Sequence, residues 1–245
     1  MFCWNADMLR FMRDASENTD YYRKLAALIS PELPKSGHIC DAGCGVGYLS
    51  EQLAGYCRQV TAVDISESAI RDFRLRLEKV PVQNLRTVCG DITQLPPEVP
   101  YDAMVFCLFG SIQSILQIGR TQCRGKLIII KKNYAMHRFS LGQNPLHHYR
   151  YCDAVEIMDQ LGIPYKTVEP DLELGQPFRS LDDAVLFFRT YSKDAHPEDI
   201  TADLVLPRLT GTSDPVFPYY LPQNKQLGIL IFDAAAIPAR LPWEE

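Results

Sequence analysis

Short apolar runs alternate with amphipathic stretches along the first half of the chain. The apolar runs are bounded by polar residues or glycine and predict buried strands, whereas apolar residues at three- and four-residue spacing between them predict helices. The predicted strands cover 38–41, 59–63, 85–89, 102–107 and 126–131. The predicted helices that separate them cover 48–56, 66–79 and 111–119. Alternation of this kind predicts a mostly parallel sheet with helices on both faces.

Residues 1–36 precede the first predicted strand and show helical spacing. Asn5 and Thr19 are residue types that cap helix N-termini, so this segment predicts two helices. Prolines follow the second helix and end it. We therefore expect N-terminal helices followed by a doubly wound α/β fold, and we interpret residues 1–245 as a single domain.

The second half of the chain is less regular. Predicted strands at 165–169 and 226–232 complete a seven-stranded sheet, but about 50 residues separate them. The segment 175–222 within this interval is rich in aromatic residues, which are Phe187, Phe188, Tyr191, Phe217, Tyr219 and Tyr220. We expect an insertion that covers the substrate site as a lid, in which these residues either surround a flat substrate or form a small core. The alternative is an appendage that packs on one edge of the sheet.

Composition narrows the class of protein. The hydrophobic content of 47% and the charged content of 22% are ordinary for a globular protein. The net charge of −5 and the scattered Lys and Arg residues disfavour nucleic-acid binding, which usually requires a basic face. No apolar run approaches the length of a membrane span, and a signal-peptide core is not recognisable. The eight cysteines form no C-x-x-C pair, so we expect reduced thiols in the cytoplasm and no metal site.

The segment His38–Gly47, with the sequence HICDAGCGVG, carries the strongest functional signal. An apolar strand reaches Asp41 and then runs into glycines at the alternate positions 43, 45 and 47. Glycine lets a ligand approach the backbone closely, and a glycine turn between a strand and a helix is typical of nucleotide-binding α/β folds. The dinucleotide pattern would need another glycine where Tyr48 stands. The Asp41 carboxylate also suits a cationic ligand and repels a diphosphate.

This segment resembles motif I of the class I S-adenosylmethionine (SAM)-dependent methyltransferases, and the resemblance extends more weakly over about the first half of the chain. It implies a Rossmann-like fold, SAM as the cofactor and S-adenosylhomocysteine (SAH) as the product. Asp41 would then attract the α-ammonium of SAM, and Gly43, Gly45 and Gly47 would pass close to its methionine and ribose parts. The insertion 175–222 departs from the family pattern, in which the last two strands often form a near-continuous hairpin.

The resemblance implies further contacts where the second and third strands end. Asp64 would accept hydrogen bonds from both ribose hydroxyls, and Asp91 would accept one from the adenine amino group. Ile65 and Ile92 would cover the two faces of the adenine. The alternative for Asp91 is a carboxylate that caps a turn after a strand.

Two more contacts are implied near the methionine part of the cofactor. The carbonyl of Cys107, at the end of the fourth strand, would face it, and Tyr21 or Tyr22 would reach its carboxylate from the N-terminal helices. Core packing is the alternative for both tyrosines. The Asn- or Asp-Pro-Pro-aromatic motif of methyltransferases that act on exocyclic amines does not follow the fourth strand, which disfavours that class of substrate.

Methyl transfer needs a general base only when the acceptor atom carries a proton. His137, His147 and His148 follow the fifth predicted strand, near the expected mouth of the cofactor site, and histidine titrates in the right range. We expect His148, which Tyr149 and Tyr151 flank, to be the catalytic base ahead of His137. The alternative for each is a surface-loop residue without a catalytic role.

These features predict an enzyme that transfers a methyl group from SAM to a small-molecule acceptor, with oxygen the first choice of acceptor atom. One alternative is a SAM- or SAH-binding protein without transfer activity. Another is an NAD-linked oxidoreductase, which Asp41 and Tyr48 disfavour. We expect a small-molecule substrate and neither a nucleic-acid nor a membrane partner, and the sequence does not indicate an oligomeric state.

Overall fold

The computed structural model describes residues 4–136, 139, 141, 150–192 and 195–244. The strands are β1 (His38–Ala42), β2 (Gln59–Asp64), β3 (Leu85–Cys89), β4 (Tyr101–Cys107), β5 (Cys123–Lys132), β6 (Lys166–Val168), β7 (Asp171–Glu173), β8 (Gln176–Phe178), β9 (Thr210–Gly211), β10 (Tyr219–Leu221) and β11 (Asn224–Asp233). The α-helices are α1 (Ala6–Glu17), α2 (Tyr21–Ile29), α3 (Tyr48–Leu53), α4 (Glu67–Lys79), α5 (Ile112–Gln122), α6 (Tyr151–Gln160), α7 (Leu181–Tyr191) and α8 (Ala202–Val205).

The two predicted N-terminal helices are present, and one of their two predicted caps is correct. Asn5 Oδ1 accepts a hydrogen bond from the amide of Met8 at 2.8 Å, which satisfies a free donor in the first turn of α1. The prediction that Thr19 caps α2 is wrong, because the N-cap residue is Asp20. The Thr19 hydroxyl instead donates to the carbonyl of Ala15, so it completes the end of the first helix.

The central sheet confirms the predicted doubly wound α/β fold. Its strand order is β3-β2-β1-β4-β5-β11-β6. The first five of these strands are parallel, and β11 runs antiparallel to β5. Both β6 and β7 pair antiparallel with β11, at different points along it, so they share one edge of the sheet. The seven predicted strand positions are therefore present, with β7 as an additional short strand on the outer edge.

Helices cover both faces of this sheet. Along β5, Leu127 and Ile129 belong to the core cluster that contains residues of α5 and α6, while Ile128 and Ile130 belong to the cluster of α2 and α3. All four side chains are completely buried, which explains why this strand is an unbroken apolar run and does not alternate with polar residues. The carboxyl ends of the five parallel strands consequently lie on one edge, between two helical layers.

The insertion between β6 and β11 has a core of its own. Strands β8, β10 and β9 form a separate antiparallel sheet, against which α7 packs. Phe178, Phe187 and Phe188 are buried together there, and Tyr191 packs against them. Phe11 of α1 enters this cluster, with its ring centroid 5.1 Å from that of Phe187. Of the two roles considered for these aromatic residues of α7, the structure shows core packing.

Candidate cofactor site

The strand order reverses between β1 and β4, and ligands of open α/β sheets bind in the crevice at such a reversal. The glycine turn lies here, directly after β1. The amides of Gly43 and Cys44 both donate to the carbonyl of Val63 in β2, at 2.8 and 3.0 Å. These bonds hold the turn at the carboxyl end of the sheet.

The turn requires glycine at its three alternate positions. Gly43, Gly45 and Gly47 have φ angles of 73°, 54° and 79°, in the left-handed region that other residues rarely adopt. A Cβ atom at Gly43 would overlap the ring of Phe109, and one at Gly47 would overlap the ring of Phe73. The pattern seen in the sequence therefore reflects both the backbone conformation and the close approach of two aromatic rings.

Asp41 presents a buried carboxylate beside this turn. Asp41 as a whole is only 1% exposed. Oδ2 accepts a hydrogen bond from the Ser50 hydroxyl at 2.5 Å, while Oδ1 has no hydrogen-bond partner among the described residues. Burial raises the pKa of Asp41 to about 7, the bond from Ser50 opposes this shift, and the nearby Asp64 carboxylate adds to it. A buried acceptor without a partner fits a cationic group such as the α-ammonium of SAM.

Asp64, at the end of β2, holds two segments of the site together. Its Oδ2 accepts a hydrogen bond from the Gly45 amide and its Oδ1 accepts one from the Ser66 amide, each at 2.8 Å. Each oxygen of a carboxylate has a second lone pair, so both can also accept a hydroxyl. Ile65 follows with an exposed side chain. The ribose contact of Asp64 and the adenine contact of Ile65 stay predictions, and this geometry accommodates them.

Asp91 and Ile92 follow β3. Asp91 Oδ1 accepts hydrogen bonds from the amide and the hydroxyl of Thr93, at 2.9 and 2.8 Å, and so caps a short 3₁₀ turn. Ile92 is buried in the core cluster that contains residues of α5, and its carbonyl accepts a hydrogen bond from Gln122 at 2.8 Å. Turn capping thus accounts for one Asp91 oxygen, and the adenine contacts of both residues stay predictions.

The tyrosines of α2 lie in the core. The ring of Tyr21 is edge-on to that of Tyr22, with centroids 4.9 Å apart, and Lys225 Nζ lies 5.3 Å from its centroid. Tyr22 stacks on Tyr48 at 5.9 Å. Cys107 lies half-buried at the end of β4, and burial raises the pKa of its thiol to about 12. Packing accounts for the tyrosines, and the cofactor contacts of Tyr21 and Cys107 stay predictions.

Two aromatic rings that the sequence pattern did not single out lie over the glycine turn. Phe109 lies against Gly43, and Trp4 is the side chain nearest to a Cβ position at Gly45. Phe109 follows Leu108, whose φ angle of 57° is unusual for a residue with a large side chain. Such strain costs on the order of 1–3 kcal/mol and clusters at functional sites. The sequence feature that could have indicated Phe109 is the apolar run that continues past the end of β4 to a glycine.

A buried lysine supports the same loop. Lys131, near the end of β5, is 2% exposed, and its Nζ donates to the carbonyls of Phe109 and Gly110 at 2.8 and 2.6 Å. Burial lowers the pKa of Lys131 to about 8. In the sequence this residue follows an apolar run, so spacing alone did not indicate that its ammonium group is buried.

The predicted catalytic residues His148 and His137, together with His147, lie outside the described residues. His38 lies at the start of β1, with its Nε2 2.8 Å from the hydroxyl of Thr61, and is therefore at the opposite edge of the sheet. Within the described ranges, no group of three or more His, Cys, Asp and Glu side chains is placed to bind a metal ion. No helix in this part of the chain combines the length and apolar character that crossing a membrane requires.

Comparisons with known proteins agree with this geometry. The profile of a family described as "Methyltransferase domain" matches residues 39–118, from β1 into α5. The chain is 28% identical over 121 residues to the ribosomal RNA small subunit methyltransferase G of Methylobacillus flagellatus. This match covers 48% of this chain and 58% of that protein. The chain is also 36% identical over 74 residues to a ubiquinone biosynthesis O-methyltransferase of Coxiella burnetii. This match covers 30% of this chain and 31% of that protein. The chain thus spans less than two thirds of the length of these relatives.

The fold is similar to that of solved methyltransferases. The magnesium protoporphyrin IX methyltransferase of Synechocystis PCC 6803, solved with bound SAM, has a TM-score of 0.51 and 14% identity, and the match covers 95% of this chain and 86% of that one. At this identity the likeness concerns the fold alone. The profile match includes the glycine turn, Asp64 and Asp91. Residues 39–118 therefore match a methyltransferase domain, and the fold of the chain is similar to that of a methyltransferase solved with SAM.

Proposed function

We propose that this protein transfers a methyl group from SAM to a small-molecule acceptor, with oxygen as the acceptor atom. The observation that carries the proposal is the buried Asp41 carboxylate, whose Oδ1 has no described partner, beside a left-handed glycine turn at the switch point of the sheet. This arrangement attracts an ammonium group and repels a diphosphate, which counts against the NAD-linked alternative. SAM, when bound, supplies a methyl group that its sulfonium already activates.

The residues of the chain position the reactants and exclude water. Asp41 and the glycine turn hold the methionine part, with the Cys107 carbonyl and Tyr21 beside it. The nucleoside part is held by Asp64, Ile65, Asp91 and Ile92. Trp4 and Phe109 cover the turn and keep water away from the reacting atoms.

Two observations support a small molecule with an acceptor oxygen. One relative is named as a ubiquinone biosynthesis O-methyltransferase. The net charge of −5, without a basic run in the sequence, favours a small molecule over RNA. Another relative is named as a ribosomal RNA methyltransferase, so an RNA substrate is the alternative that the activity test includes.

Titration calorimetry with SAM, SAH and NAD tests the choice of cofactor. We expect micromolar binding of SAM and SAH, about −8 kcal/mol, and no binding of NAD. Asp64→Ala should weaken SAM binding by about 1.5–3 kcal/mol, because hydrogen bonds to a charged group are lost. Asp233→Ala is the control, since it removes an exposed carboxylate at the opposite edge of the sheet. Binding of NAD and not of SAM by the wild-type chain would overturn the proposal.

Turnover separates an enzyme from a SAM-binding protein without transfer activity. SAM with a deuterated methyl group is incubated with the protein and with either a small-molecule extract or total RNA, and mass spectrometry locates the label. We expect labelled small molecules and unlabelled RNA, with the label attached to oxygen in the isolated product. Label in RNA alone would contradict the proposed substrate class, and label in neither fraction would favour the binding protein.

We propose His148, ahead of His137, as the base that removes the proton of the acceptor hydroxyl. His148→Ala should lower kcat by about 10²–10⁴ while the affinity for SAM stays unchanged, because a general base acts only on the chemical step. His196→Ala, in the insertion, is the control and should retain the wild-type rate. If His148→Ala turns over the substrate within a few-fold of the wild-type rate, His148 is not the base.

A further inference from the structure

A cavity lies beside the N-terminal ends of α5 and α6. It is a groove of about 680 Å³ between α5, α6 and the C-terminal segment, and its lining includes Ser111, Lys131, Arg150 and Trp243. Ser111 is the N-cap of α5 and Arg150 is the N-cap of α6. The N-terminal ends of two helices therefore contribute partial positive charge to this groove.

The lining residues offer hydrogen-bond donors that the described protein groups do not use. Lys131 donates two of its three ammonium protons to the carbonyls of Phe109 and Gly110, so its third proton can be donated to a ligand. Arg150 Nε and Trp243 Nε1 are buried atoms with no hydrogen-bond partner among the described residues. Buried donors without partners are costly and rare. These two atoms and the remaining ammonium proton of Lys131 belong to residues that line one cavity, and they indicate a ligand that brings acceptor atoms.

Both acidic residues of the groove have their partners within its lining, and Asp153 forms an ion pair with Arg150. Asp153 accepts hydrogen bonds from the amide of Arg150 at 3.0 Å and from its Nη2 at 3.2 Å. Glu156 is exposed and accepts a hydrogen bond from Gln160 at 3.3 Å. The two described partners of the Lys131 ammonium are neutral carbonyls. A positive charge is therefore buried here, and no carboxylate of the described residues is hydrogen-bonded to it.

The C-terminal wall of the groove is fixed in place. Arg120 forms a bidentate ion pair with Glu244, with N–O distances of 2.7 and 2.6 Å. Glu244 Oε2 also accepts a hydrogen bond from the amide of Leu241 at 3.0 Å. Bidentate pairs of this kind are the more specific ones. Trp243 lies between these anchors, so its indole N–H belongs to a preformed wall.

Phe109 connects the groove to the cofactor turn through Lys131, which lines the groove. The carbonyl of Phe109 binds Lys131, while the ring of the same residue lies against Gly43. We propose that the groove binds the oxyanion group of the methyl acceptor, a small carboxylate or phosphate, through Lys131, Arg150 and Trp243. The oxyanion site stands on the donors described above, and only its assignment to the methyl acceptor rests on the proposed function.

The two tryptophans of the chain report the two sites separately. Trp4 lies over the glycine turn and Trp243 lines the groove. In protein labelled with ¹⁵N-tryptophan, Trp4→Phe and Trp243→Phe assign the two indole N–H resonances. We expect SAH to shift the Trp4 resonance, and we expect benzoate or phenyl phosphate, added to the SAH complex, to shift that of Trp243. The larger response of the two identifies the oxyanion as carboxylate or phosphate, and neutral benzamide should cause no shift.

Variants test which side chains bind the oxyanion. Lys131→Met and Arg150→Gln should each raise the Kd of the better oxyanion probe at least about tenfold, because each loses a charge-assisted hydrogen bond. Arg23→Gln is the control, since it changes an exposed arginine paired with its helix neighbour Asp20. Lys131→Met also takes a donor from two carbonyls and can unfold the loop, so the result for Arg150→Gln is decisive.

Two results overturn the oxyanion site whatever SAH does at Trp4: a Trp243 resonance that neither oxyanion moves, and equal shifts with benzamide and benzoate. A wild-type Kd for Arg150→Gln overturns the site as well. If SAH leaves the Trp4 resonance unchanged while oxyanions shift that of Trp243, the proposed function fails and the oxyanion site remains.

Discussion

The buried carboxylate of Asp41 makes the stability of the fold depend on pH. Burial raises its pKa to about 7, so at about pH 6 most of the folded protein without ligand carries the proton. The folded-state pKa lies above the reference value of 3.8, so the unfolded chain ionises first as the pH rises. Asp41 therefore destabilises the fold increasingly between about pH 4 and pH 7, and by a constant amount above that.

An ammonium group placed beside Asp41 favours the carboxylate, so SAH binding at about pH 6 should release a proton. Calorimetry in two buffers of different ionisation enthalpy should then give different binding heats. Asp41→Asn should abolish that difference and should also raise the Tm, more at neutral pH than at about pH 4. Equal heats in both buffers for the wild-type chain would contradict an ammonium group at Asp41.

At the scale of elements, charged side chains join α1 to the insertion. Arg179 binds Asp14 with both guanidinium NH₂ groups, and its Nη2 lies 2.8 Å from Asp14 Oδ1. Arg10 pairs with Asp183 of α7 at 2.7 Å. The Asp14 side chain is 6% exposed, so loss of Arg179 leaves a largely buried carboxylate with only the longer 3.8 Å contact to Arg10 among its described ion pairs.

We predict that Arg179→Gln lowers the free energy of unfolding by about 2 kcal/mol, less than for a fully buried pair because the arginine is partly exposed. The double variant Asp14→Asn/Arg179→Gln should recover much of this loss, because the unpaired charge is then absent. Urea denaturation of the four proteins in this cycle measures the coupling. Additive losses would show that the two side chains do not stabilise each other.

At the scale of the whole molecule, the expected lid is connected to the cofactor site through the N-terminal helix. Phe11 of α1 packs in the core of the insertion, and Trp4, just before α1, lies over Gly45. We predict that SAH slows hydrogen exchange in α1 and α7 together, while the amino-terminal edge of the sheet stays unchanged. Protection of α7 without α1 would contradict this connection, and no change in either helix would leave the insertion as an appendage.

Much of the fold and part of the site could be predicted from the sequence alone. Alternating apolar runs and helical spacing predict the order of β1 to β5, because burial on both faces of a parallel sheet leaves a local pattern. The glycine turn could be predicted for a similar reason, since a left-handed backbone at three alternate positions restricts the residue type at each of them. Asp41 ends the first predicted strand and Asp64 follows the second, so both could be assigned to the carboxyl edge of the sheet from the sequence.

Only the tertiary structure decided which side chains surround that turn and which form the core of the insertion. Phe109 lies over Gly43, and Lys131 turns its ammonium group inward to the Phe109 carbonyl. Phe11 of α1 packs against Phe187 of α7. The aromatic residues of α7, which could also have surrounded a substrate, therefore form a core. Periodicity records whether a residue is buried, because burial excludes water from one face of an element. Periodicity does not identify the residue against which a buried side chain packs, because that contact depends on how distant elements pack together.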